Sequence, residues 1–481
     1  MKRLLAVVGL VLIVGVLVRE PMASEGATQI ANAPAGEELS KDYTVRVDGQ
    51  DAPVYTAKVA STDPALRWRA MDDKANSADY FGMASFAYFD MDAPVTVTVT
   101  CPTPIQSARA LASSYGIAPK IEGNSLTFAL RDPKPVTIEV NGMWVGALHL
   151  FANPRETHAP HPGDPNVIYF GPGIHEVTRV VVTNNQTVYL APGAIVRGIT
   201  GADEPHWMSS YNHRPNYAPT FELRGKHIRF CGRGILDFGL IPRATRNAID
   251  VRGSDITVEG VIVRNASTWT IPIRKSDHVT IRNVKLLGYR ANSDGIDVCD
   301  SDHVTVEGCF VRTLDDLIVV KTFDAETRHV LVTNCVLWNE VAHALSIGAE
   351  LRKNVDDVVF TDCDVIHDMG RTWTLRIFHC DGSVISNVRF ENLRIAESPR
   401  LISLWINKAE YSAGPERGHI DHVLFKNIRA TANPLHIDLE GYDASHEARD
   451  VVFDNVVVNG RPLSRKDIDA NAFVEGISII P

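Results

Sequence analysis

VTIRN at 279–283 returns 25 residues later as VTVEG at 304–308, and again as VLVTN (330–334), VVFTD (358–362), VRFEN (388–392), VLFKN (423–427) and VVFDN (451–455). An earlier copy, ITVEG, stands at 256–260. Successive starts lie 23, 25, 26, 28, 30, 35 and 28 residues apart. Each phrase alternates apolar and polar residues as a strand does and ends on Asn, Gly or Asp, with no helical periodicity between copies. A drifting period of this length in strand-forming sequence predicts a parallel β-helix in which each phrase is one rung and the drift is loop length. A propeller blade needs about 40 or more residues. IRFCG (228–232) and TVYLAPGAIVRG (187–198) read as earlier coils, which sets the solenoid at about 165–475.

Upstream, YTVRV (43–47), VTVTVT (95–100), LTFAL (126–130) and VTIEV (136–140) alternate between turn residues. They predict a small antiparallel β-sandwich over 40–155. THAPHPGDPN (157–166) reads as the linker, its two histidines lacking a third nearby ligand for a metal. The fold class is therefore all-β, a sandwich followed by a solenoid.

Met1-Lys2-Arg3 precedes 15 apolar residues, LLAVVGLVLIVGVLV, and then small residues around Ser24. This is the pattern of a secretory signal over 1–24, and it falls short of the roughly 20 apolar residues of a spanning helix. The expected location is secreted or periplasmic, with no stable membrane insertion. A formal charge of −10 over 481 residues lacks the basic stripe that nucleic acid requires. Seven scattered cysteines are too few for a disulfide scaffold. Cys309, Cys335 and Cys363 each follow the fifth position of a phrase, so in register they stack as a buried ladder, close enough on neighbouring rungs for a bridge.

In a solenoid, residues one coil apart meet. TLDDLIVVKT (313–322) puts Asp315 and Asp316 side by side, and Asp294 of ANSDGIDVCD (291–300) lies 21 residues before Asp315, nearly one local coil. Three carboxylates then share one face. Each motif alone reads as a turn; clustered, their like charges split the pKa values as an acid and a base require. Glycosidic cleavage uses such a division, one carboxylic acid donating to the leaving oxygen while a carboxylate activates water.

NSDGID, TLDDLIVVK, HALSIG (343–348) and LRI (375–377) resemble, in order and spacing, the motifs of the polygalacturonase-like glycoside hydrolases, family 28. That family has a right-handed parallel β-helix. The resemblance implies Asp315 as general acid, Asp294 and Asp316 as the groups that hold and activate water with net inversion, and His343 as the residue setting the acid's protonation. It implies no metal or organic cofactor. Asn292 and Arg376 become candidate substrate contacts. Where the family has Arg-Ile-Lys, this chain has Arg376-Ile377-Phe378, so one cation that grips a uronate is missing and a phenyl ring suited to a neutral sugar stands there. Lys321 is either a replacement cation or an outward-pointing side chain, and Tyr411 is a further candidate contact. The dextranase-like family 49 of the same clan also carries a sandwich before its β-helix. The expected partner is a polysaccharide or oligosaccharide bound by a monomer. The competing readings are a dextranase-like hydrolase, a calcium-dependent polysaccharide lyase and a non-catalytic glycan-binding or adhesion solenoid.

Overall fold

The computed structural model describes residues 28–61, 63, 81–210 and 213–481. The expected signal segment, 1–24, lies outside the described residues. Nearly every described element is a strand, the two short helical turns being Ser113–Tyr115 and Arg465–Asp467. Among the described residues no helix is long and apolar enough to cross a membrane.

Strands from Thr28–Gln29 to Met143–Pro154 form two packed sheets of six and five strands. The five-stranded sheet alternates as the sequence suggests: in Val95–Thr100 the valines are buried while the threonines face outward. Val97, Val99, Leu126, Ile138, Leu148 and Leu150 fill the space between the sheets. The expected purely antiparallel pairing is corrected at one place, where Phe81–Met91 runs parallel to Met143–Pro154. Ala84 through Met91 are all buried, because this strand packs on the second sheet with one face and on the solenoid with the other. Parallel pairs tolerate such two-sided burial and read as continuous apolar runs without alternation.

From Val167–Phe170 onward the chain winds into coils. A representative coil has three strands, Ile296–Cys299, Asp302–Glu307 and Phe310–Thr313, each paired in parallel with its equivalents one coil away. A rung is thus three strands, and each recurring phrase supplies only the second. Inward residues such as Ile296, Val298, Val304, Val306 and Val311 build one continuous core. Phe360, Phe390, Phe425 and Phe453 stack through it at 5.0 to 5.1 Å between ring centres. The last residue of every phrase is left-handed, from Gly260 (φ 82°) and Asn283 (53°) to Asn427 (53°) and Asn455 (53°). Gly, Asn and Asp are among the residues that enter that region most cheaply, and the phrase always ends on one of them. Cys309, Cys335 and Cys363 form the expected buried ladder just beyond that corner, as free thiols.

The sandwich covers the sheet to which Phe310–Thr313 belongs. Tyr55, Phe86, Tyr88 and Phe151 pack on Leu287, Phe310, Val336 and Trp338. Within that seam the guanidinium of Arg312 is held by Glu340 at 2.8 Å and donates to His149 Nε2 at 3.1 Å. With that face sealed and the phrase face regular, the open irregular corner between the first and third strands is left to carry a site.

Candidate active site

The two aspartates of TLDDLIVVKT lie in the turn between Phe310–Thr313 and Ile318–Thr322. The chain bends there, so strand alternation does not force their side chains apart. Asp294 occupies the same turn one coil earlier, before Ile296–Cys299, and His343 the same turn one coil later, before Leu345–Leu351. Main-chain hydrogen bonds lock these turns together: Gly295 N–H donates to Asp316 O at 2.8 Å and Leu317 N–H to His343 O at 2.9 Å. Glycine at 295 allows this approach, since a Cβ there would lie 2.3 Å from the Leu317 carbonyl oxygen.

Asp294, Asp315 and Asp316 each offer an oxygen within 4.8 Å of the others. Their surroundings differ sharply. Asp315 accepts the backbone N–H of Asn292 at 3.0 Å and of Asp316 at 3.1 Å, yet burial and then the Asp316 charge push its carboxyl above the usual range. Burial alone would raise Asp316 too, but the His343 imidazole, with Lys321 and Arg376 beyond it, holds it below the usual range. His343 Nδ1 donates to Asp316 Oδ1 at 2.6 Å while its Nε2 accepts from Arg376 Nη1 at 3.2 Å, a relay that fixes the ring. Asp294 is raised well above its ordinary value by burial and then by Asp297, and burial pushes Asp297 itself to about 7.

Lys321 does not point outward. Its ammonium is buried 3.3 Å from Asp294, 3.5 Å from Asp297 and 3.8 Å from Glu350, and it lies 4.2 Å from the Trp269 ring centre. These carboxylates raise it well above the ordinary lysine range although burial opposes the charge. Its charge is therefore spent on holding the carboxylate cluster. Arg376, pushed down to about 10 by burial, sits 3.9 Å from the centre of the Phe378 ring and 4.9 Å from that of Trp373. Phe378 meets Trp405, its register partner on the next coil, at 4.9 Å. The Tyr411 ring, 40% exposed, stands 6.3 Å from Phe378. Asn292, left-handed at φ 59°, contributes through its backbone N–H to Asp315.

The structure thus brings eight of the nine sequence-derived residues to one corner and its flanking strand, while Tyr411 stands in the loop beyond Ile402–Ile406, beside Phe378. Asp297, Glu350, Trp269, Trp373 and Trp405 escaped the sequence reading. Trp405 carried a usable signal, 27 residues after Phe378 and so about one coil on. The all-oxygen trio is also close enough to hold a divalent cation.

These features define a right-handed parallel β-helix protein with a cluster of carboxylates at one corner. Residues 245–474 match the glycosyl hydrolases family 28 model. A polygalacturonase of Juniperus ashei is 28% identical over 199 residues, 40% of this chain and 38% of that protein. A polygalacturonase of Ralstonia solanacearum is 22% identical over 249 residues, 43% of this chain and 46% of that one. The matched stretch spans less than half of either relative. Among solved structures, an exopolygalacturonase of Thermotoga maritima superposes with a TM-score of 0.55 at 18% identity, over 65% of this chain and 84% of its own. Dex49A of Penicillium minioluteum superposes with 0.59 at 13% identity, over 94% and 96%. The chain resembles the polygalacturonase-like glycoside hydrolases.

Proposed function

We propose that this protein is an exported, monomeric glycoside hydrolase that cleaves an α-linked glycan of pectin type, or a related polysaccharide including neutral ones, with inversion. The observation that carries the reading is geometric: Asp294, Asp315 and Asp316 from adjacent coils offer oxygens within 4.8 Å of one another, and Asp316 is held by His343 Nδ1 at 2.6 Å, surroundings that push Asp315 up and Asp316 down. Asp315 keeps its proton and donates it to the leaving oxygen. Asp316, ionised and oriented by the Arg376–His343 relay, takes the proton of the attacking water. Asp294, with an oxygen within 4.8 Å of those of Asp315 and Asp316, helps hold that water. Phe378, Trp405 and Tyr411 offer apolar surface to a sugar face, while the charge of Lys321 is already paired with Asp294, Asp297 and Glu350. The uncharged end of the substrate range therefore gains support.

The family resemblance supports inversion, and the anomer released first, followed by NMR, decides.

The decisive experiment incubates wild type and Asp315→Asn with polygalacturonate, rhamnogalacturonan and dextran and analyses the products. Saturated reducing ends released by wild type alone support hydrolysis, and release from dextran moves the assignment to a dextranase-like enzyme. Unsaturated, ultraviolet-absorbing products that disappear in chelator identify a lyase. Binding without any release by either protein identifies a glycan-binding solenoid.

A further inference from the structure

Where each coil enters its phrase strand, one residue per rung is left-handed, running through His227, Asp255, His278, His303, His329 and Asp357 at φ between 50° and 56°. Asn, Asp and His all tolerate that conformation, so backbone demand explains the residue types. It does not explain how three of them are arranged. The rings of His278, His303 and His329 stack at 4.6 and 4.5 Å between centres. Their Nδ1 atoms all turn toward the carboxylates of Asp277 and Asp302, each of which precedes a histidine. His278 Nδ1 lies 2.6 Å from Asp277, and His329 Nδ1 2.6 Å from Asp302. Between them, His303 Nδ1 is 3.0 Å from Asp302 and 3.5 Å from Asp277. The result is an alternating file of three imidazoles and two carboxylates on the outer surface, each side chain about half exposed.

We propose that this file binds a borderline divalent transition-metal ion, zinc being the representative, through His303, His329 and Asp302, with His278 and Asp277 forming an overlapping second position that shares His303. In each triad the ligand atoms lie within 4.8 Å of one another. Zinc bonds nitrogen and carboxylate oxygen at roughly 2.0 to 2.2 Å, so tetrahedral ligands stand about 3.4 Å apart, and exposed side chains on a fixed sheet need to close up by at most about 1.4 Å to reach that spacing. The Nδ1 hydrogen that now faces the carboxylate leaves, and the imidazole carries its hydrogen at Nε2 toward water instead. Two carboxylates balance the charge of one ion. Mixed imidazole and carboxylate donors select zinc, nickel or copper over calcium and magnesium, the opposite preference to the all-oxygen trio of aspartates. This site is independent of the hydrolase reading.

The test is calorimetric titration of the full chain, freed of metal by chelator, with zinc and with calcium, in wild type, His303→Asn and Asp315→Asn. Asparagine suits the left-handed backbone, and an unchanged unfolding midpoint without metal confirms that the variant folds. Zinc binds wild type, excess calcium does not displace it, and His303→Asn binds at least about tenfold more weakly, the loss that even indirect partners of metal ligands show. Asp315→Asn binds zinc as wild type does. Absent zinc binding, binding unaltered in His303→Asn, or binding lost in Asp315→Asn would overturn the proposal.

Discussion

Two corners of the same coil obey opposite rules. The corner that ends each phrase, at Asn283, Gly308, Asn334, Asp362, Asn392, Asn427 and Asn455, repeats one left-handed conformation with one narrow residue set. The corner before Ile296–Cys299, Ile318–Thr322 and Leu345–Leu351 repeats only its hydrogen bonds between coils. It varies its length and side chains, and it buries carboxylates, an imidazole and a lysine beside one another. The first corner is built for stacking. The second is where stacking is exploited, since a turn places neighbouring side chains on the same side and an adjacent coil brings in a third.

If that division of labour holds, function and stability separate by corner. The largest effect falls on Asp315. Asp315→Asn lowers kcat by about 100- to 10,000-fold, the contribution of a positioned general acid. Its unfolding free energy falls by no more than about 1 kcal/mol, the loss of one of the two backbone N–H bonds that the carboxyl accepts, because the replaced carboxyl is one that burial and Asp316 disfavour when charged. A large loss of stability in this variant would make Asp315 a structural residue.

Next comes the core between the corners. Phe390→Ala opens a gap in the stack formed with Phe360 and Phe425 and costs about 3 to 5 kcal/mol in urea unfolding. The surviving folded protein turns over at the wild-type rate. A change in kcat per folded molecule would show that the stack, not the corner alone, sets the site.

The pH profile tests the relay within the active corner. Activity is lost as pH falls through the depressed value of Asp316, which must be ionised, and lost again as pH rises through the raised value of Asp315, which must keep its proton. Stability follows the same sign for Asp316: its contribution is present above its unfolded value and disappears as pH falls through the folded one. His343→Ala removes the donor to Asp316 and moves the acidic limb upward. The alkaline limb moves less. Equal movement of both limbs would mean that the two carboxyls titrate as one pair.

What the sequence made legible follows from which corner wrote it. The phrase corner announces itself because its backbone accepts few residues, so Asn, Gly and Asp recur where the chain bends. The active corner was legible through coil arithmetic, the 21 residues from Asp294 to Asp315, joined to the family-like motifs. Loop length conceals the rest. Trp269 and Trp373 precede their strands at offsets that no period fixes, and the inward turn of Lys321 depends on three carboxylates that meet only after coiling. The sandwich shows the same limit. VTVTVT declares one exposed face, whereas FGMASFAYFDM, buried on both, carries no alternation to read.

The smallest effect tests the most legible feature. Asn392 is left-handed at φ 54°, and its amide oxygen accepts from Asn427 at 3.0 Å, while Asn427 in turn accepts from Asn455 at 2.8 Å. Two causes thus favour asparagine, the backbone conformation and a ladder along the corner. Alanine loses both and costs about 2 kcal/mol, the sum of about 1 for the left-handed conformation and about 1 for a hydrogen bond. Glycine loses the ladder but keeps the backbone, so Asn392→Gly recovers about half of that loss, less the small entropic cost of glycine in the unfolded chain. Equal destabilisation by alanine and glycine would assign the recurring asparagine to the ladder alone, and the phrase would then report stacking amides rather than a bend. Neither variant alters kcat, because the phrase corner contributes no group to the carboxylate cluster.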